Sequence, residues 1–220
     1  MRVVIAGAHG QVARRLGRLL TGDGHPVAGI IRNPDHRADL ESDGVEPVVL
    51  DLERATVDEV AAVLAGADAV VFAAGAGPGS GAERKSSVDE GAAVLLADAA
   101  ERAGVRPYLL VSSMGVERAR QGTPPDMDPV FAAYLQAKLA AEDRILPRTA
   151  LDTTVVRPGG LTDEPGTGRV TLAHGVERGT VPRDDVAAVL AEVLLAGKWN
   201  AVVELVGGDT PIPEAVAALP

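Results

Sequence analysis

The chain has 220 residues, no cysteine, a formal net charge of −10 and a pI near 4.9. The missing cysteines exclude disulfides, thiolate metal ligands and a cysteine nucleophile, and the acidic balance argues against a nucleic-acid partner, whose phosphates need a basic surface. No leader of the charged-then-apolar kind opens the chain and no apolar run approaches the ~20 residues of a membrane span, so a cytoplasmic protein with no membrane partner is expected. Its length fits a single domain over 1–220, as a monomer or homodimer.

Arg2 to Ala6 reads as a first strand ending at Gly7. Val12, Leu16, Leu19 and Leu20 then recur at helical spacing, and Thr21-Gly22-Asp23-Gly24 stops the helix. Val27 to Ile31 and Pro47 to Leu50 read as strands two and three, and Val57 to Ala65 as a helix. Residues 69–74 form an unbroken apolar run, which suits a buried parallel strand. Val88 to Ala103 predicts a helix closed by Gly104, and Tyr108 to Val111 a fifth strand. Phe131 to Leu146 reads as a helix ending at Pro147, and Thr153 to Val156 as a sixth strand stopped by Pro158-Gly159-Gly160. Asp184 to Ala196 is a late helix and Ala201 to Val206 a last strand. This alternation predicts an α/β fold, a doubly wound parallel sheet of Rossmann type. Two polar stretches, Met114 to Pro129 and Leu161 to Gly179, lack periodicity and follow the carboxyl ends of strands. They are read as a reduced substrate lobe built from about 114–129 and 161–183.

Gly7-Ala8-His9-Gly10-Gln11-Val12-Ala13 joins the first strand to the first helix. There Gly7 allows the tight turn and Gly10 lets the backbone approach a pyrophosphate. Ala13 allows close helix–strand packing, and the helix N-terminus offers N–H groups and its positive dipole end. His9 is placed to donate to a phosphate or to face solvent. After the second strand, where an NAD site carries an acid for the ribose 2′-hydroxyl, stands Arg32. A cation there suits a 2′-phosphate, so NADP(H) is the expected cofactor, with Arg37 able to assist. Asp51 and Leu52, after the third strand, are assigned to the adenine edge. The scattered His25, His36 and His174 give no metal-ligand spacing, and no metal site is expected.

Tyr134 and Lys138 stand four residues apart in the long helix before strand six, on one helix face. An ammonium beside a phenol favours phenolate, which suits acid/base work on a carbonyl or alcohol. Ser112 and Ser113 close strand five, and either can meet a substrate oxygen near Tyr134; Ser113 is preferred.

Together these residues resemble the short-chain dehydrogenase/reductase superfamily, in its extended-to-atypical branch. The likeness is to small NAD(P)H-binding proteins of the biliverdin reductase B-like and NmrA-like kind. It is carried by Gly7-Ala8-His9-Gly10, by Phe72-Ala73-Ala74-Gly75, by Tyr134 to Lys138 and by Val156 to Glu164. The resemblance implies a cofactor that is usually NADP. It implies Tyr134 as general acid, Lys138 on the nicotinamide ribose, and Ser112 or Ser113 orienting the substrate. Pro158, Gly159, Gly160 and Leu161 would pass the nicotinamide end. With these, the expected cofactor-binding set is Gly7, His9, Gly10, Gln11, Val12, Arg32, Asp51, Leu52, Ala73, Ala74, Gly75, Val111 and Lys138. Two departures are the wide serine-to-tyrosine spacing and the alanine at the third glycine position. The expected activity is NADPH-dependent reduction of a small carbonyl or quinone-like substrate. The alternatives are a non-catalytic redox sensor acting through a protein partner and a sugar-nucleotide epimerase or dehydratase. Little chain remains after strand six for a sugar-nucleotide lobe.

Overall fold

The computed structural model describes residues 1–75, 77, 84–120, 122 and 127–220. In chain order the strands are β1 (Val3–Ala6), β2 (Val27–Ile31), β3 (Glu46–Val49), β4 (Ala69–Phe72), β5 (Pro107–Val111) and β6 (Asp152–Pro158). They are followed by β7 (Gly160–Thr162), β8 (Arg169–Ala173), β9 (Thr180–Pro182), β10 (Val202–Gly207) and β11 (Thr210–Pro211). The helices are α1 (Gln11–Gly22), α2 (Arg37–Ser42), α3 (Val57–Leu64), α4 (Ala93–Ala103), α5 (Pro129–Ile145), α6 (Arg183–Ala196) and α7 (Ile212–Ala217). A π-helical segment, Lys85–Ala92, runs directly into α4. No described helix is long and apolar enough to cross a membrane.

The main sheet has the order β11-β8-β10-β6-β5-β4-β1-β2-β3. From β3 to β10 every pairing is parallel. β1 sits at the switch point: it pairs β2 on one side, Val3 against Val27, and β4 on the other, Val3 against Ala69. Chain connections leave in opposite directions there, so a crevice opens at the carboxyl ends of β1 and β4. Both strands are wholly buried, as an apolar run without alternation requires. One face packs Val3, Ile5, Leu16, Leu20, Val189 and Leu190 under α1 and α6. The other packs Val4, Phe72, Leu96, Leu110 and Ile145 under α3, α4 and α5. α5 starts two residues before its sequence estimate, because Asp128 caps the N–H of Phe131 at 2.9 Å and Pro129 fits the first turn.

The sequence expectation needs two corrections. The sheet is not purely parallel: β8 runs antiparallel to β10, Leu172 opposite Leu205, and β11 extends it. Residues 161–179 are therefore not plain loop. β8 alternates exposed and buried residues, with Val170 and Leu172 inward, but it is only five residues long and follows Pro165, Gly166 and Gly168, which hide the period. β7 and β9 form a separate two-stranded parallel ladder, Gly160 against Thr180. Of the 114–129 stretch, Val116–Ala119 is a 3-10 turn, and residues 121 and 123–126 lie outside the described residues.

Candidate active site

Gly7 has φ +77°, and a Cβ on it would fall 2.4 Å from the Ala74 Cα. The turn thus has no room for another residue, and it brings the ends of β1 and β4 together. The N–H groups of Gly7 and Ala8 donate to the Ile30 carbonyl, and that of Gly10 donates to the Gly7 carbonyl at 2.9 Å. Gly10 has an ordinary φ of −62° and caps α1 without a side-chain hydrogen bond. Space is its constraint, since an added Cβ would lie 3.2 Å from the Gly7 carbonyl oxygen. The first turn of α1 holds no acid, so its N–H groups and positive dipole end remain suited to an anion.

Two clefts meet at this loop. Gly10, Ala73, Ala74, Gly75 and Gly77 line both. The first, of about 430 Å³, is also walled by Gly7, His9, Arg32, His36, Asp51, Leu52, Glu53 and Arg84. Within it Glu53 accepts from Arg32 at 3.0 Å, from Arg84 at 3.1 Å and from the Ser87 hydroxyl at 2.6 Å. The Ser87 hydrogen bond, joined by Arg84 and Arg32 and opposed by partial burial, holds the Glu53 carboxyl below the usual carboxylate range. His9 Nε2 lies 2.8 Å from Asp39 Oδ2, and its ring stacks on His36 with centroids 3.5 Å apart. His9 is thus tied into the wall of the cleft.

The second cleft, of about 570 Å³, is lined by Gln11, Val12, Lys85, Asp89, Val111, Ser112, Ser113, Tyr134, Lys138, Pro158, Gly159 and Leu161, among others. Every residue expected at the cofactor or in catalysis lines one cleft or the other except Arg37, the first residue of α2, and Gly160. The Gly160 N–H donates to the Gly179 carbonyl within the β7–β9 ladder. Lys138 is buried, and its ammonium meets the Ala74 carbonyl at 3.2 Å, the Val111 carbonyl at 3.0 Å and Asp89 at 3.3 Å. It lies 5.8 Å from the centre of the half-buried Tyr134 ring, and Lys85 lies 5.4 Å from the same ring. The two serines differ. Ser112 is buried and donates to Glu142, which pairs with Arg157; Arg157 in turn meets Glu117 at 3.0 Å. Ser113 is partly buried and donates only weakly to the neighbouring Met114 carbonyl, at 3.2 Å.

Sequence reading overlooked Glu53, Arg84, His36, Lys85 and Asp89. Lys85 and Asp89, like Tyr134 and Lys138, are four apart on a helical segment, a spacing that was available as a signal. The others come together only through the fold.

A family model described as NAD(P)H-binding matches residues 7–196. A Bacillus subtilis (strain 168) protein named as an uncharacterized sugar epimerase, YhfK, is 36% identical over the whole of both chains. A Bacillus halodurans structure described as a candidate NAD-dependent epimerase/dehydratase superposes with a TM-score of 0.89 at 37% identity, covering 100% of both chains. ChuY, an anaerobilin reductase from Escherichia coli O157:H7, superposes with a TM-score of 0.79 at 27% identity, covering 95% of this chain and 98% of that one. With the glycine loop at the β1–α1 turn and the matched span covering most of the sheet, the chain belongs to the NAD(P)H-binding family.

Proposed function

We propose that the chain is an NADPH-dependent reductase of a small carbonyl or quinone-like substrate. One observation carries the reading: Tyr134 and Lys138 line the same cleft as Gly10, Gln11, Val12 and Ala73 to Gly75, the residues suited to a dinucleotide. The glycine turn with no space for a Cβ, and the acid-free N-terminus of α1, fit that cofactor. When bound, the nicotinamide supplies the hydride.

The chain's own groups do the rest. Tyr134 donates its phenolic proton to the substrate oxygen as that oxygen gains charge, and is reprotonated from solvent. Lys138, held by two carbonyls and Asp89, is a fixed cation beside the phenol; a ribose contact requires it to exchange one of those acceptors. Ser113 is the serine assigned to the substrate oxygen, because its weak contact with Met114 is easily exchanged whereas Ser112 is bound to a buried carboxylate. Val130, Phe131 and Leu161, 46%, 39% and 42% exposed, rim the cleft and favour an apolar substrate over a sugar nucleotide. The likeness to an anaerobilin reductase agrees with that choice. Arg32 supports NADPH over NADH.

The test is an NADPH-oxidation panel of aldehydes, quinones and flavins, with a nucleotide-sugar epimerisation arm. Turnover in the epimerisation arm alone would replace this reading. Cofactor binding without any turnover would favour a redox sensor.

A further inference from the structure

Two guanidinium groups in the first cleft converge on one oxygen atom. Arg32 Nη1 is 3.0 Å and Arg84 Nη2 is 3.1 Å from the same Oε2 of Glu53. They come from different parts of the fold: Arg32 follows β2, Arg84 precedes the π-helical segment after β4, and Glu53 follows β3. Ser87 fixes the other carboxylate oxygen at 2.6 Å. Like charges brought together in this way repel unless an anion lies between them. The geometry is therefore that of an anion site, and a side chain of the protein occupies it.

We propose that Arg84 is a second ligand, beside Arg32, for the 2′-phosphate of the cofactor, and that Glu53 competes with that phosphate for both arginines. The inference rests on the NADP(H) reading of this cleft. A phosphate monoester carries a charge of about −1.5 to −2 and three acceptor oxygens, against the single charge of a carboxylate. Guanidinium forks match its geometry, so the phosphate displaces Glu53. Once displaced, Glu53 remains a like charge near the phosphate and limits how tightly it is held. A different role for Glu53, accepting from the 2′-hydroxyl of NADH, predicts the opposite response to its removal.

The full chain is titrated calorimetrically with NADPH, NADH, 2′,5′-ADP and 5′-AMP, as wild type and as Arg84→Gln, Arg84→Lys and Glu53→Gln. The wild type binds each 2′-phosphorylated ligand more tightly than its partner. Arg84→Gln weakens NADPH and 2′,5′-ADP by about tenfold or more, the lower range for a charged hydrogen bond, and leaves NADH and 5′-AMP unchanged. Arg84→Lys restores part of the loss, keeping the charge without the fork. Glu53→Gln tightens the 2′-phosphorylated pair by about two- to fivefold, the range of a part-exposed charge contact. Unchanged NADPH affinity in Arg84→Gln, or weakened NADH affinity in Glu53→Gln, overturns this inference and leaves the NADP(H) reading standing. Equal wild-type affinities for NADPH and NADH overturn both.

Discussion

Replacing Tyr134 by Phe removes one hydroxyl and keeps the ring. The ring's contact with Phe131, centroids 5.9 Å apart, survives, as do the ammonium groups of Lys85 and Lys138 at 5.4 and 5.8 Å from its centre. The residue is half-buried, so unfolding free energy should change by no more than about 0.5 kcal/mol, the scale of a substitution away from core and caps. Cofactor affinity should hold, because the loop Gly7 to Val12 and the strand ends are untouched. Turnover should not hold. A positioned acid contributes roughly 10²–10⁴-fold, which is about 2.7–5.4 kcal/mol of barrier at 1.36 kcal/mol per factor of ten. The assay pairs stopped-flow loss of nicotinamide absorbance with a fluorescence titration of NADPH and a denaturant melt. The chain's other tyrosine, Tyr108, is fully buried and donates to the Ala93 carbonyl at 2.8 Å, so it cannot take over the role. Turnover at the wild-type rate in a variant that folds and binds NADPH as the wild type does would refute the acid role.

Arg32→Ala should weaken NADPH by roughly 1.5–3 kcal/mol and leave NADH near its starting affinity, by the same fluorescence titration. Gly10→Val should abolish dinucleotide binding by blocking the phosphate's approach, while near-native circular dichroism remains; its φ is open to any residue, and the Cβ 3.2 Å from the Gly7 carbonyl oxygen should cost some stability in a urea melt. Gly7→Ala should also harm the fold, by about 2 kcal/mol or more in a urea melt, because left-handed φ and a backbone clash coincide there. Asp43 carries a pH prediction. Burial raises its carboxyl, but hydrogen bonds from Arg14 at 2.6 Å and Arg18 at 3.1 Å outweigh that and hold it below the usual range. Its folded value is lower than its unfolded one, so its contribution is complete above about pH 4 and fades as pH falls through the folded value. Asp43→Asn should therefore destabilise at neutral pH and flatten the acid limb of the stability curve. An unchanged acid limb would dismiss the pair as a stabilising contact.

What could be read from the chain, and what could not, divides by how local the cause is. β1, β4 and α1 announce themselves through apolar runs and helical spacing. Gly7 does so because a turn into a helix needs a backbone only glycine permits, and Tyr134 and Lys138 because a helix places residues four apart on one face. β8 was missed because its inward pair, Val170 and Leu172, is defined by the partner strand β10 more than by its own short pattern. The cluster of Arg32, Glu53 and Arg84 was missed for the same kind of reason. Glu53 and Arg84 are 31 residues apart, and no rule of spacing connects them. They meet because the ends of β2, β3 and β4 open on one crevice.

The end of β4 also carries the coupling between the two halves of the site. Ala74 packs against Gly7 so closely that no Cβ fits between them, and its carbonyl accepts from Lys138. A dinucleotide lying over Ala73 to Gly75 thus rests on the residue that positions the ammonium beside Tyr134. In the proposed mechanism, binding and acid/base chemistry would share this one backbone segment. A change that moves Ala74 must therefore disturb both, whereas Tyr134→Phe disturbs only the second.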